Sequence, residues 1–171
     1  KLADNRILLS GAVFYYDYSN LQVSFVNANS IVQTINAATA RNYGGELELE
    51  GRVLPNLSVN AQVSYLNAKF TKFCNAYYGA AFPARPGISY PACPSDPALA
   101  DLSGNRLPNA PRFSFGGGFN LDIPIGDVGK VTVDGDIKWQ GKVYFTEFNN
   151  SDAEQGSYAM INGGITYHSP D

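Results

Sequence analysis

The chain has 171 residues and a net charge of −3, with 44% apolar and 16% charged residues. It carries no block of like charges that would mark a nucleic-acid surface, and no run of about 18 apolar residues that would mark a membrane-spanning helix. A mean hydropathy of −0.17, with 17 Gly, 11 Tyr and 10 Phe, fits a sheet with unlike faces, either a soluble β-sandwich or a barrel alternating lipid-facing and polar residues.

The pattern predicts about seven strands. Arg6 to Tyr18 forms the first. Leu8, Ala12, Phe14, Tyr16 and Tyr18 fall on one face, but Ile7, Leu9, Val13 and Tyr15 fall on the other, so it alternates poorly. Ser19-Asn20 reads as a short turn. Leu21, Val23 and Phe25 then alternate with Gln22 and Ser24, and Asn27 to Ser30 is loop-like. A third strand begins near Ile31 and runs into a ladder where Glu46, Glu48 and Glu50 alternate with Leu47, Leu49 and Gly51. Leu54-Pro55-Asn56 has turn chemistry. Leu57, Val59, Ala61, Val63 and Tyr65 then alternate with Ser58, Asn60, Gln62 and Ser64 on a fourth strand that ends near Phe70.

From Thr71 to about Leu107 the periodicity stops. Pro83, Pro86, Pro91, Pro94, Pro97 and Pro108 exclude regular strand or helix there. A loop this long in a compact domain is usually functional. The fifth strand places Phe113, Phe115, Phe119, Leu121 and Ile123 opposite Arg112, Ser114, Asn120 and Asp122, with Gly116 to Gly118 in its middle. Pro124 to Gly129 is a turn. On the sixth, Val131, Val133, Ile137 and Trp139 alternate with Thr132, Asp134, Asp136, Lys138 and Gln140. Thr146 to Gly156 is a polar loop, and the seventh strand carries Ala159, Ile161, Ile165 and Tyr167.

Short and long connections alternate. An up-and-down antiparallel sheet would gather the tight turns at one end and the long loops at the other, as in bacterial outer-membrane barrels. A Greek-key sandwich gives no reason for this. Several strands run about 13–15 residues, more than a bilayer crossing needs, so the wall would continue above the membrane. Glu46, Glu48, Glu50, Asp134, Asp136 and Lys138 stand in rows that suit a wet lumen; the solvent face of a sandwich is the alternative. Tyr16, Tyr18, Tyr65, Trp139 and Tyr167 near strand ends fit aromatic girdles.

No catalytic constellation, metal pattern or cofactor motif is present, so the chain is not expected to be an enzyme or to hold a cofactor or metal. The single His168 suits a solvent or interface role. Cys74 and Cys93 both lie in the long loop and would close a disulfide ring of about twenty residues, worth about 3 kcal/mol; two free thiols are the alternative. Tyr77, Tyr78, Phe82, Arg85 and Tyr90 in the same loop could contact a ligand or pack the loop against its neighbours. Lys1 shows no signal peptide or initiating Met, which suggests a processed product or a piece of a longer chain.

The segments AVFYYDYSNLQV, NAATARNYGGELELEG, LSVNAQVSYLNAKF and DLSGNRLPNAPRFSFGGG resemble the C-terminal half of TonB-dependent outer-membrane receptors. The matching elements are Phe14 to Tyr18, Asn36 to Glu50, Tyr65 to Phe70 and Gly104 to Pro111, so the likeness covers almost the whole chain. It implies an all-β, antiparallel up-and-down transmembrane barrel segment: residues 1–171 as part of a barrel of about 22 strands, with an extracellular loop at about 71–107. It further implies a plug domain and a TonB-contacting region outside this sequence, and two missing final strands. The implied partners are the remaining barrel strands, the plug, TonB, outer-membrane lipid and a small-molecule or metal-chelate substrate. The implied function is energised import of a ferric siderophore, cobalamin or oligosaccharide across the bacterial outer membrane. A passive porin and a soluble β-sandwich binding module are the competing readings.

Overall fold

One face of each long strand is built mainly of apolar residues and glycine, and these strands pair in chain order. The computed structural model describes residues 6–26, 31–74, 76–77, 91–94 and 96–170. Its strands are β1 (Ile7–Val26), β2 (Val32–Leu54), β3 (Leu57–Phe73), β4 (Ala76–Tyr77), β5 (Ala92–Cys93), β6 (Asp96–Ala100), β7 (Phe113–Pro124), β8 (Lys130–Gln140), β9 (Val143–Tyr144), β10 (Glu154–Gln155) and β11 (Tyr158–His168). One antiparallel sheet has the order β1-β2-β3-β7-β8-β11. Two small sheets, β4-β6-β5 and β9-β10, lie in the connections. Among the described residues there is no α-helix and no second large sheet, so a sandwich has nothing to close against.

The expected seven long strands are six. Ser19-Asn20 is not a turn. Asn20 takes φ 56° within β1, where the pairing to β2 shifts register between Tyr18 and Leu21. An asparagine that tolerates the left-handed region makes an irregularity here instead of reversing the chain. The two predicted strands on either side are therefore one strand of 20 residues. The tight connections are Pro55-Asn56 and 125–129, both at one end of the sheet. The long ones, 74–112 and 141–157, are at the other end. Proline did not exclude strand from the long loop either: Pro97 lies within β6.

β7, β8 and β11 have 12, 11 and 11 residues, about the length that crosses a bilayer. β1, β2 and β3, with 20, 23 and 17 residues, continue beyond. Close pairing along the β2–β3 ladder requires Gly44, because a Cβ there would stand 2.0 Å from Tyr65 O and 2.8 Å from the Phe14 ring.

The buried core lies at the long-loop end. Ala38, Ala40, Phe70, Phe73, Ala100, Leu102 and Phe148 form one cluster, with Leu21, Val23 and Leu107 against it. These residues come from the extended ends of β1, β2 and β3 and from both long connections.

Candidate functional site

Cross-strand register fixes two faces. On one, Leu49, Ala61, Gly117, Ile137 and Ile161 form a row from β2 to β11. Leu47, Val63, Phe115 and Trp139 form the adjacent row. This apolar face is uncovered: Val13 is 89% exposed and Ile165 77%. A soluble protein does not leave such a surface to water.

Aromatic rings edge the apolar face toward the long loops. Tyr15 lies 6.5 Å from Tyr43, Tyr65 lies 5.0 Å from Phe113, and Phe115 stacks on Trp139 at 5.5 Å. Polar groups hold their outer tips. Tyr15 OH donates to Asp17 Oδ2 at 2.9 Å, Arg41 pairs with Asp17 at 2.8 Å, and Asn67 donates to Tyr43 OH at 2.8 Å. This is the chemistry of a membrane interface, apolar below and hydrogen-bonding above. At the opposite edge Tyr167 OH donates to Val128 O in the turn 125–129.

The other face is polar. Leu8, Glu50, Asn60, Gly118, Asp136 and Asn162 form one row across all six strands. Glu48, Gln62, Gly116, Lys138 and Met160 form the next. A row of Arg52, Ser58, Asn120, Asp134 and Gly164 follows. An open depression of about 590 Å³ on this face is lined by Arg6, Glu50, Arg52, Asn60, Asp134 and Asp136, among others. Asn162 donates to Asp136 Oδ2 at 3.0 Å. Among the described residues no ion pair engages Glu46, Glu48, Glu50, Asp134 or Asp136, so this wall carries an excess of negative charge.

The structure thus gathers all six expected charged residues, Glu46, Glu48, Glu50, Asp134, Asp136 and Lys138, on one face. Sequence reading missed what lies between them. Gly116 and Gly118 on β7 leave room for Gln62 and Asn60: a Cβ on Gly116 would meet Gln62 Nε2 at 2.9 Å. The amides therefore fill the gap between the acidic groups of β2 and β8. The signal was the glycine run opposite an Asn/Gln alternation. Tyr16 and Tyr18 are corrected: they share the polar face with Glu46, because Tyr16 pairs with Asn42 and Tyr18 with Ala40. Phe14, Tyr16 and Tyr18 form a file of rings there, 5.8 and 6.1 Å apart.

The long connections fold onto the sheet end. The backbone of 102–109 runs beside β3, with Leu102 N–H donating to Phe73 O, Gly104 N–H to Phe70 O and Leu107 N–H to Ala68 O, at 2.8, 2.8 and 3.1 Å. Arg106 and Asn149 exchange two bonds: Arg106 N–H donates to Asn149 Oδ1 at 2.7 Å, and Asn149 Nδ2 donates to Arg106 O at 2.9 Å. Asn105 Nδ2 adds a bond to Glu147 O at 2.9 Å. These clasps, with Phe148 in the core, join the two connections. Burial pushes the Glu147 carboxyl above its ordinary range. The Ser103 hydroxyl and backbone N–H hold the Asp101 carboxyl below it.

Cys74 and Cys93 form a disulfide across a sequence separation of 19, tying the end of β3 to β5. Of the expected ligand-contacting residues, Tyr77 lies in β4 opposite Leu99. Tyr78, Phe82, Arg85 and Tyr90 lie outside the described residues. His168, at the turn end, is 3.2 Å from Thr132 Oγ1, which donates to Asp122 Oδ1 at 2.8 Å. His168 is exposed, and this contact with Thr132 joins β11 to β8 beside the turn.

Comparison with known proteins gives a consistent picture. The family described as TonB dependent receptor-like, beta-barrel matches residues 1–169. The ferric yersiniabactin uptake receptor FyuA from Yersinia pestis has the same fold, with a TM-score of 0.70 at 21% identity over 97% of this chain and 21% of that one. The siderophore receptor PiuA from Acinetobacter baumannii has a TM-score of 0.65 at 21% identity over 97% of this chain and 20% of that one. BauA, the ferric preacinetobactin receptor of the same organism, has a TM-score of 0.65 at 15% identity over 99% and 22%. The chain therefore spans about a fifth of the length of the receptors it matches.

Proposed function

The chain belongs to the TonB-dependent receptor β-barrel family, whose members are bacterial outer-membrane receptors and not enzymes, and we propose that it supplies wall, lumen lining and an outer loop to an importer of a scarce nutrient. The observation that carries this reading is the uncovered apolar face, continuous over six strands and backed by a polar face. Lipid satisfies the first and a water-filled or plugged lumen the second.

In this reading Glu46, Glu48, Glu50, Asp134, Asp136 and Lys138 line the lumen and face a plug domain supplied elsewhere in the polypeptide. The acidic rows favour cationic or hydrogen-bond-donating groups on that plug. The loop 74–112, stapled by Cys74–Cys93, carries Tyr77, Tyr78, Phe82, Arg85 and Tyr90 toward an incoming ligand. The remaining barrel strands cover the free edges of β1 and β11, which cannot stay bare in a bilayer. TonB, acting on a region outside this chain, moves the plug and releases the ligand inward. The named relatives suggest a ferric siderophore as cargo; cobalamin and an oligosaccharide are the other candidates.

The test is uptake by the source bacterium with and without the gene. Cells would be given a labelled ferric chelate, cobalamin or oligosaccharide, with and without a protonophore. Import that needs both the gene and the proton gradient supports the reading. Uptake that needs the gene and continues under protonophore would identify a passive channel.

A further inference from the structure

The β9–β10 hairpin pairs Tyr144 with Glu154 and Val143 with Gln155, and alternation sorts its side chains by face. Lys142 and Tyr144 share one face with Glu154. There Lys142 Nζ lies 3.0 Å from Glu154 Oε2 and 4.9 Å from the centre of the Tyr144 ring, so the hairpin's charges meet each other. Val143 and Phe145 point the other way. With Gln155, Gln140, Tyr158 and Asn109 they line an open depression of about 420 Å³. Gln140 and Tyr158 are a cross-strand pair of β8 and β11, at the loop end of the polar face. Asn109 is held beside them by its backbone N–H, which donates to Tyr144 O at 2.8 Å.

No charged side chain lines this depression. Its walls are three amides, two aromatic rings and a valine. Phe145 is 54% exposed and Tyr158 38%. Among the described residues, no hydrogen bond occupies the side-chain amides of Asn109 or Gln140. Amides donate and accept without charge, and rings offer flat apolar faces. The volume falls within the range of small-molecule sites.

We infer that this depression is a binding subsite for an uncharged organic group, rich in hydroxyls or amides and flat on one face. The inference rests on the importer reading and adds to it the chemistry of one contact. An anionic group entering here would lose water without meeting a cation, because Lys142 is committed to Glu154 on the opposite face. A neutral sugar and a neutral, amide-coated metal chelate both present the required chemistry.

The experiment uses the full-length receptor purified in detergent and three probes: maltotriose, a neutral ferric trihydroxamate and a trianionic ferric tris-catecholate. Equilibrium binding is measured for the wild type, Phe145→Ala, Gln155→Glu and, as a control, Lys142→Ala. One neutral probe binds; Phe145→Ala and Gln155→Glu each weaken it about tenfold, in line with loss of an aromatic or hydrogen-bonding anchor. Lys142→Ala leaves its affinity within about twofold, since that side chain faces away. Which neutral probe binds distinguishes sugar from chelate. Binding of the anionic chelate alone, binding of a neutral probe unaffected by Phe145→Ala and Gln155→Glu, or binding of none of the three would each overturn the inference. The importer reading is decided separately by energised uptake in cells, so its failure is distinguishable from this one.

Discussion

Arginine placed stepwise along the apolar face of β8 should report the bilayer by depth. β8 spans Lys130–Gln140, and Gly135 is the midpoint of its apolar face. Ile137 stands two residues from that midpoint, about 7 Å along a strand rising about 3.4 Å per residue. With a strand tilt of about 45°, Ile137 lies about 5 Å from the mid-plane and Val131 about 10 Å from it on the other side. Arginine on a lipid face costs about 2–4 kcal/mol at the mid-plane and about 0–1 kcal/mol near the interface. Ile137→Arg should therefore destabilise by about 2–3 kcal/mol and Val131→Arg by about 1 kcal/mol or less. Lys138 is adjacent in sequence and lies on the opposite face, so Lys138→Gln should change stability by no more than about 0.5 kcal/mol. The assay is a urea titration of the full-length receptor folded into lipid vesicles, comparing midpoints at constant slope. A dry protein core would penalise both arginines without grading them by depth. Equal losses at Val131 and Ile137, or a larger loss at Lys138 than at Ile137, would refute the placement in lipid.

Replacing both Cys74 and Cys93 by Ser should leave unfolding of the wall unchanged while proteolytic cleavage within 75–92 accelerates, because a ring of this size is worth about 3 kcal/mol; an unchanged cleavage rate would count against the staple. Asn149→Ala removes both bonds to Arg106, a loss of about 1–3 kcal/mol. Amide hydrogen exchange should then speed up in 102–109 and 144–149 together, and acceleration in one segment alone would contradict the clasp. Glu147 has its carboxyl pKa raised by burial, so the folded state holds that proton more tightly than the unfolded state. Its stabilising contribution is complete below the ordinary carboxyl range and is lost as pH rises through the raised value. Glu147→Gln should therefore make exchange in the loop cluster slower at neutral pH and less dependent on pH, whereas an unaltered pH profile would dismiss the buried carboxyl as the cause.

The β2–β3 ladder was legible because Glu46, Glu48 and Glu50 oppose apolar neighbours, and two unlike faces produce a period of two. β1 was not legible on the same terms. Its Ile7, Leu9, Val13 and Tyr15 meet the apolar face while Leu8, Ala12, Phe14, Tyr16 and Tyr18 cover part of the polar one, so both faces look alike. Ser19-Asn20 has turn chemistry, and only the continued pairing of Leu21 onward with β2 shows that the strand goes on. The outer cluster was hidden for a different reason. Leu102 reaches back to Phe73 and Arg106 forward to Asn149, the latter at a sequence separation of 43, and no local period records such a contact. The charged rows could be read from alternation, whereas the glycine bed that seats Asn60 and Gln62 needed the register of a third strand.

The tall β1–β2 hairpin acts mechanically as a buttress. A loop rooted only at its two strand ends bends about those roots, but the outer connections here also lean on Ala38 and Ala40, well above the membrane-crossing part of the sheet. A sideways load at the mouth is thereby carried into the long β1–β2 ladder, where many backbone hydrogen bonds resist it in shear, and does not peel the short strands β7 and β8 apart one bond at a time.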